Sequence, residues 1–301
     1  MSGTVLVSGA SSGFGAMTVR ALADAGYTTY AGMRDTSGHN ARSVADAAEY
    51  ARQHSVDLRS VELDVSDQRS VDAGVREVTE ATGAIDVVVH NAGHMVLGPA
   101  EAFTPEQLLD VYDTNVVSTQ RLNRAVLPGM RERRDGLLVW VGSTSTYGGT
   151  PPYLGPYFGS KAAEDHVAKS YAVELARFGI DSAIVVPGSY TSGTNHFAHA
   201  MLPDDEDRAR AYEELYAGLM DDVSARLAEL APPEADPYEV AKAIVSLVGA
   251  PKGSRPFRVT VDPANDGSSE VSEVADRVRE RFYERIRLTD LLTVRTADGR
   301  A

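Results

Sequence analysis

The chain has 301 residues, a length that suits one large α/β domain or two small ones. Its 43% of hydrophobic and 24% of charged residues are typical of a globular protein rather than a disordered one. The formal net charge of −14 argues against general affinity for nucleic acid or anionic membranes, and the lack of cysteine excludes disulfides and thiolate catalysis. No signal-peptide pattern or apolar span of roughly 20 residues is visible, so we expect a cytoplasmic location.

Short apolar runs alternate with amphipathic segments from the N-terminus to about residue 250. The predicted strands are Thr4–Ser8, Thr28–Met33, Asp57–Leu63, Ile85–His90, Leu137–Gly142 and Asp181–Val186. The predicted helices between and after them are Ala16–Ala25, Val44–His54, Val71–Thr82, Pro105–Arg133, Tyr157–Phe178 and Pro237–Val248. This alternation favours parallel βαβ units and predicts an α/β fold with a Rossmann-type doubly wound parallel sheet.

Two regions depart from the alternation. Residues 191–236 show no strand and are rich in Pro, Asp, Glu and Tyr, which predicts one or two helices that form a substrate lid. Residues 251–301 hold one predicted strand, Phe257–Val261, and one charged helix, Glu270–Arg287, and are expected to be a C-terminal extension. Since no repeat or low-complexity linker is visible, residues 1–301 are predicted to form a single domain.

A cluster of glycines lies between the first strand and the first helix. Gly9, Gly13 and Gly15 follow the spacing G-x-x-x-G-x-G in the segment Gly9–Gly15. The absence of side chains allows backbone N–H groups and the helix N-terminus to approach a phosphate closely. An ordinary glycine-rich turn is the plain alternative, but three glycines in the first turn of an α/β chain favour a nucleotide site.

A tyrosine and a lysine lie four residues apart far downstream of this cluster. Tyr157 and Lys161 share one face of the predicted helix that begins at Tyr157. Either signal alone is weak, because a Tyr-x-x-x-Lys spacing occurs by chance in many helices. A glycine turn that binds pyrophosphate and a Tyr–Lys pair that passes a proton beside it together indicate a nicotinamide-dependent oxidoreductase.

The chain resembles the short-chain dehydrogenase/reductase family from residue 4 to about residue 250. The matching positions occur in the family's order and are Gly9–Gly15, Asp64-Val65, Asn91-Ala92-Gly93, Asn115, Ser143, Tyr157, Lys161 and Pro187-Gly188. Within that family, residues 29–34 and 152–157 resemble the hydroxysteroid-dehydrogenase-like branch. The resemblance implies a carbonyl reductase, or an alcohol dehydrogenase in the reverse direction, that acts on a small molecule.

The resemblance also implies the catalytic residues. Tyr157 is the expected proton donor to the alkoxide, and its phenolate is the base in the reverse direction. Lys161 is expected to lower the pKa of this phenol and to reach the nicotinamide ribose, while Asn115 anchors a water that connects Lys161 to solvent. The fifth strand places Ser143 at the carbonyl-polarising position, and Ser145 stays open as the alternative.

The end of the second strand bears on the choice of cofactor. Met33 stands where NAD-selective members of the family carry an acidic residue, and Arg34 follows at once. A guanidinium can bind a 2′-phosphate with two parallel hydrogen bonds, and Ser11 can donate another. NADP(H) is therefore favoured over NAD(H), although Arg34 could instead pair with Asp35 or Asp64.

Further contacts are implied for several loops at one edge of the sheet. The expected cofactor contacts, besides Ser11 and Arg34, are Gly9, Ser12, Gly13, Phe14, Gly15, Asp64, Val65, Asn91, Ala92, Gly93, Tyr157, Lys161, Pro187, Gly188, Tyr190 and Ser192. The expected substrate contacts, which suit a bulky and largely apolar carbonyl compound, are Ser143, Ser145, Tyr153, His94 and Phe197. His196 and His199 lack a third ligand at a convincing spacing, so no metal site is predicted.

These observations predict an NADP(H)-dependent oxidoreductase that reduces a ketone or aldehyde, or catalyses the reverse reaction. The alternative is a catalytically silent NADP(H)-binding sensor or scaffold, which would have no need of an intact proton-transfer set. A serine hydrolase that uses Ser143 is disfavoured because the G-x-S-x-G elbow is missing. Since the helix that carries Tyr157 is a frequent subunit interface in the family, a homodimer or homotetramer is expected, without nucleic-acid or membrane partners.

Overall fold

The computed structural model describes residues 3–190 and 199–294. The strands are β1 (Thr4–Ser8), β2 (Thr28–Met33), β3 (Leu58–Glu62), β4 (Val87–His90), β5 (Gly136–Val141), β6 (Ile180–Pro187) and β7 (Arg258–Val261). They form one sheet in the order β3-β2-β1-β4-β5-β6-β7, and every neighbouring pair is parallel. The strand order reverses between β1 and β4, which leaves a crevice at the carboxyl ends of these strands. The Rossmann-type α/β fold is confirmed.

Helices cover both faces of the sheet. They are α1 (Gly13–Asp24), α2 (Ala41–His54), α3 (Gln68–Thr82), α4 (Pro105–Tyr112), α5 (Ser118–Arg133), α6 (Gly155–Leu175), α7 (Glu206–Leu215), α8 (Leu219–Leu230), α9 (Tyr238–Gly249) and α10 (Ser268–Arg285). Several begin two or three residues before the predicted start, because their first turns carry no apolar period. No helix in residues 3–190 or 199–294 is both long enough and apolar enough to span a membrane.

The buried strands separate two apolar layers. Successive side chains of a strand point to opposite faces, so Val5 and Val7 pack into one layer and Leu6 into the other. The first layer is completed by α1 and α9, and the second by α3, α5 and α6. Because both faces are covered, the central strands are continuous apolar runs. This packing leaves only the ends of the strands for polar chemistry.

The predicted helix Pro105–Arg133 is interrupted. Thr104 and Gln107 form a capping box that starts α4 at Pro105, as the sequence indicates. A π-helical segment, Asp113–Val117, then separates α4 from α5. The prediction of one regular helix was therefore wrong at this point, because a π turn has no signature in apolar periodicity.

The predicted C-terminal strand belongs to the sheet itself. β7 pairs in parallel with β6, from Ile184 opposite Arg258 to Pro187 opposite Val261. The segment after residue 250 is thus only partly an extension, since it supplies the edge strand before α10 follows. One or two helices were expected between residues 191 and 236, and two are present, α7 and α8. Their action as a lid stays a prediction.

Candidate active site

A cavity of about 910 Å³ lies at the carboxyl ends of the strands. Its walls come from the glycine loop after β1, the end of β2, and the loops after β3, β4, β5 and β6. Most of the predicted site residues line it: Gly9, Ser11, Ser12, Gly13, Phe14, Arg34, Asp64, Val65, Asn91, Ala92, Gly93, His94, Ser143, Ser145, Tyr157, Lys161, Pro187, Gly188 and Tyr190. The topology therefore gathers at one site residues that are as much as 181 positions apart, as Gly9 and Tyr190 are.

The glycine loop is packed too closely for side chains. Gly9 has a φ of +64°, and a Cβ atom there would lie 2.7 Å from the Cα of Ala92. A Cβ atom on Gly15 would lie 2.4 Å from the carbonyl oxygen of Gly9. The Asn91 side chain donates hydrogen bonds to the Gly9 carbonyl at 3.0 Å and to the Ser8 carbonyl at 2.9 Å. Gly15 thus shapes the loop rather than lining the cavity.

The N-terminus of α1 opens into the cavity. A Cβ atom on Gly13 would have no neighbour within 4 Å, so the helix N-terminus is accessible there. Free N–H groups in the first turn of a helix and the helix dipole favour an anion. These residues fit the pyrophosphate of a dinucleotide.

Arg34 lies at the end of the cavity next to β2 and is exposed. Asp35 and Asp64, the two alternative partners of Arg34, both accept hydrogen bonds from backbone N–H groups instead. Asp35 accepts a hydrogen bond from the His39 N–H at 2.7 Å, and Asp64 accepts one from the Ser66 N–H at 2.9 Å. In the described parts of the chain, no carboxylate pairs with the Arg34 guanidinium within 4.0 Å. Arg34 therefore lines the cavity without a carboxylate partner among these residues.

Tyr157 stands in the first turn of α6, where Pro156 suits the helix start. Its side chain is buried, and its phenol hydrogen-bonds with the Ser143 hydroxyl. The Ser143 oxygen also accepts a hydrogen bond from the Ser145 N–H at 3.2 Å. By contrast, the Ser145 hydroxyl is buried and has no hydrogen-bond partner among the described residues. The geometry thus brings Ser143, and not Ser145, to the phenol.

Lys161 is one turn further along α6, and its ammonium is also buried. It donates hydrogen bonds to the carbonyl oxygen of Val141 at 2.9 Å and to the carboxylate of Glu164 at 2.7 Å. Burial favours the neutral amine, but the Glu164 carboxylate and the Tyr157 phenol together outweigh it, so the pKa of Lys161 is raised. An ammonium carries three N–H donors. Two of them point into the protein, and one is left for the cavity.

The pKa of the phenol reflects several opposing influences. Burial raises the pKa of Tyr157, whereas the Lys161 ammonium and the Ser143 hydrogen bond lower it, and the Glu164 carboxylate raises it again. The expected effect of Lys161 is present. Burial nevertheless outweighs it, so the pKa of Tyr157 is raised from its ordinary value of 10.0. A positive charge near the phenol lowers its pKa, so the net charge of Lys161 and its partners affects how readily Tyr157 ionises.

Asn115 lies in the π-helical segment, fully buried behind the cavity wall. It accepts a hydrogen bond from the His94 N–H at 2.9 Å and donates to the His94 carbonyl at 3.0 Å and to the Ser160 hydroxyl at 2.9 Å. These bonds tie the loop after β4 to α6. The predicted anchoring of a water by Asn115 stays a prediction.

One part of the cavity wall is apolar. It is lined by Met95, Leu154, Phe158, Met201, Leu227 and Leu230. His94 lines the same cavity, and burial together with the Arg34 charge lowers its pKa. The predicted contact Tyr153 is not among the lining residues; its phenol instead interacts with Glu213 and Tyr216, at the end of α7. The predicted contacts Ser192 and Phe197 lie outside the described residues.

Some residues of the site were not predicted. Leu227 and Leu230 come from α8, and Asp266 comes from the loop between β7 and α10. Asp262 holds that loop, because its carboxylate accepts hydrogen bonds from the Ala264 N–H at 3.1 Å and from the Asp266 N–H at 3.0 Å. The same carboxylate leaves no room for a Cβ atom on Gly188. Leu227 and Leu230 fall within the predicted lid, residues 191–236, but no sequence signal singles them out. Asp266 has no such signal either, because its place depends on where a distant segment packs.

Three comparisons agree on the family. Residues 3–202 match the family model described as short chain dehydrogenase. The chain is 31% identical over 256 residues to retinol dehydrogenase 8 of Bos taurus, a match that covers 82% of this chain and 78% of that protein. It is 36% identical over 189 residues to human 17-beta-hydroxysteroid dehydrogenase type 1. This match covers 61% of this chain and 56% of that protein.

A solved structure shows the same architecture. A variant of actinorhodin polyketide ketoreductase, solved with NADPH, is 27% identical to this chain and superposes with a TM-score of 0.71. The match covers 87% of this chain and 96% of the other. The chain belongs to the short-chain dehydrogenase/reductase family, in its hydroxysteroid-dehydrogenase-like branch. It is accordingly an oxidoreductase that uses a nicotinamide cofactor.

Proposed function

We propose that the protein is an NADP(H)-dependent carbonyl reductase that converts a ketone or aldehyde to an alcohol, or catalyses the reverse reaction. The observation that carries the proposal is the half-buried Ser143 next to the buried Tyr157 and Lys161, on the wall of the cavity that begins at the glycine loop. A protein that only bound the cofactor would have no use for a buried phenol with a hydroxyl and an ammonium beside it.

The three side chains have distinct parts in this reaction. The cofactor, when bound, supplies the hydride for the carbonyl carbon. Tyr157 donates its proton to the oxygen on which negative charge develops, and the Ser143 hydroxyl, which contacts the phenol, hydrogen-bonds to that oxygen. The Lys161 charge stabilises the phenolate that remains, and its third N–H is available to a ribose hydroxyl.

The cofactor preference rests on the end of β2. Met33 is buried and neutral, so no carboxylate is offered to a ribose 2′-hydroxyl from this position. The exposed Arg34 guanidinium, with no carboxylate partner in the described residues, suits a 2′-phosphate. The likeness to a ketoreductase solved with NADPH supports the same choice.

The substrate proposal rests on the apolar part of the cavity. Methionine, leucine and phenylalanine side chains line it, and two of the leucines come from α8. Such a wall favours a bulky apolar compound whose carbonyl group is its main polar feature. The names of the relatives, a hydroxysteroid dehydrogenase and a retinol dehydrogenase, support this class of substrate. Steroid ketones, retinal and polycyclic ketones are the first compounds to test.

The test is the oxidation of NADPH and of NADH at 340 nm with this panel, for the wild-type protein and for Tyr157→Phe. We expect turnover with NADPH in the wild type and a loss of about 100-fold or more in the variant, because the general acid is missing. The affinity for NADPH should stay within about threefold in a binding titration. Tight NADPH binding without turnover of any compound would contradict the proposal and favour the sensor alternative.

We further propose a cytoplasmic homodimer or homotetramer. The support is the family membership and the position of α6, the helix that carries Tyr157. Sedimentation velocity measures the assembly directly, and a monomer at micromolar concentration would contradict it.

A further inference from the structure

Glu164 is a buried carboxylate directly beside the proton-transfer set. It lies three residues after Lys161 on α6, on the side of the helix that faces the sheet, and its side chain is only 3% exposed. Burial of a carboxylate costs several kcal/mol unless it is paired and hydrogen-bonded. An apolar residue would fill this interior position without that cost. The acid therefore needs a reason that lies in its partner.

Its partner is the Lys161 ammonium, at 2.7 Å. The same ammonium donates to the Val141 carbonyl on β5 at 2.9 Å, so the two acceptors hold it on the inner side of α6. Gly93 borders it on the other side, where a Cβ atom would lie 3.9 Å from the nitrogen. The position of the lysine is thus defined from α6, from β5 and from the loop after β4.

The charges around this pair are otherwise compensated. Asp165, the next residue, is paired with Arg258 of β7 at 2.7 Å and with Lys169 of α6. Toward the cavity, Lys161 interacts with the Tyr157 phenol, and the Ser143 hydroxyl hydrogen-bonds to that phenol. Glu164 is therefore the one carboxylate of the described residues that pairs with Lys161.

We infer that Glu164 is a positioning residue of the active site, which holds the Lys161 ammonium against β5 and partly neutralises the charge that Tyr157 experiences. The inference rests on the proposed function for its catalytic consequence. Burial raises the pKa of Glu164, and the Lys161 ammonium beside it opposes this rise. Where Glu164 is ionised, the lysine supports the phenolate less than an unpaired ammonium would. Alcohol oxidation, which needs the phenolate, should then require a higher pH than it would without this carboxylate.

The experiment is the pH profile of kcat/KM for alcohol oxidation, measured for the wild type, Glu164→Gln and Glu164→Asp. Glutamine keeps the shape and an acceptor oxygen for Lys161 but carries no charge. We expect its profile to move to lower pH by about one unit, which is about tenfold in kcat/KM on the rising limb. The plateau at high pH should stay within about threefold. Aspartate, which keeps the charge, should remain close to the wild type.

A matched control and a second measurement make the result decisive. Glu174→Gln removes an exposed carboxylate of the same helix, whose partner is the Ser170 hydroxyl at 2.8 Å, and should leave the profile unchanged. Phenolate absorbance at 295 nm, taken as the difference between each protein and its Tyr157→Phe counterpart, follows the ionisation of Tyr157 without turnover. This midpoint should also fall in Glu164→Gln.

The outcomes separate the two proposals. Identical pH profiles and identical phenolate midpoints in the wild type and Glu164→Gln would overturn the inference, because the carboxylate would then be only structural. A lowered midpoint in a protein that turns over no carbonyl or alcohol would support the inference and contradict the proposed function. If Glu164→Gln folds poorly, the same measurements on Glu164→Asp decide: a changed midpoint with the charge retained would contradict the inference.

Discussion

His90, the last residue of β4, should make the stability of the protein dependent on pH. The residue is 3% exposed, its ring packs against Trp140 with 4.5 Å between centroids and a tilt of 38°, and Nε2 lies 2.9 Å from the Oδ1 of Asn123. Burial disfavours the imidazolium and, although the Asn123 hydrogen bond opposes it, lowers the pKa of His90 to about 4. In the unfolded chain the ordinary value of 6.5 applies.

The sign of the effect follows from these two values. Between pH 6.5 and pH 4 the folded state keeps His90 neutral, while the unfolded chain takes up a proton. The contribution of His90 to the free energy of unfolding is therefore fully present above pH 6.5 and is lost as the pH falls toward 4. At about 1.4 kcal/mol per pH unit, His90 costs about 2 kcal/mol at pH 5 and about 3 kcal/mol below pH 4.

The perturbation is His90→Gln, whose amide can still donate to Asn123 but cannot take up a proton. Urea unfolding at pH 7.5 and at pH 5.0 gives the free energy of unfolding of both proteins. Because the other titrating groups are common to both, the difference between the two pH dependences isolates His90. The wild type should lose about 2 kcal/mol more than the variant over this range. Equal losses in the two proteins would refute the assignment of a neutral buried His90.

Two further predictions concern the cofactor site. Arg34→Ala should weaken NADPH binding by about tenfold to 100-fold and leave NADH binding within about twofold. The reason is that charge-assisted hydrogen bonds to the 2′-phosphate are worth about 1.5–3 kcal/mol. Equal losses for both cofactors in a fluorescence titration would contradict this prediction. Gly15→Ala should lower the free energy of unfolding by about 1–3 kcal/mol, since its Cβ would lie 2.4 Å from the Gly9 carbonyl oxygen. Gly129→Ala in α5 is the control, because only the flexible end of Arg133 lies near its Cβ, at 3.3 Å; an equal loss there would contradict the packing argument.

The order of the elements could be predicted from the sequence because each buried strand is a short apolar run between turns. β1 and β2 have the predicted bounds, and the other strands differ by one or two residues at their ends. The glycine loop and the Tyr157–Lys161 pair were predicted for the same reason: their chemistry depends on spacing within one loop and one helical turn. The fold brings the glycine loop and the Tyr157–Lys161 pair to one cavity, as expected at the carboxyl ends of a parallel sheet.

Other features depend on contacts between distant segments. The π-helical turn at Asp113–Val117 accompanies hydrogen bonds from Asn115 to two other segments, and apolar periodicity does not report such bonds. The choice between Ser143 and Ser145 required the position of the Tyr157 phenol relative to a loop of variable length.

The sequence by itself determined the fold class, the family and the residues that act through local spacing, because periodicity and short motifs are properties of neighbouring positions. Only the tertiary structure decided that β7 forms one edge of the sheet, that Asp266 lines the cavity, and that Glu164 pairs with Lys161. The first two depend on packing between segments far apart in the chain. The third depends on which side of α6 faces the sheet, because only a residue on that side reaches the buried Lys161 ammonium.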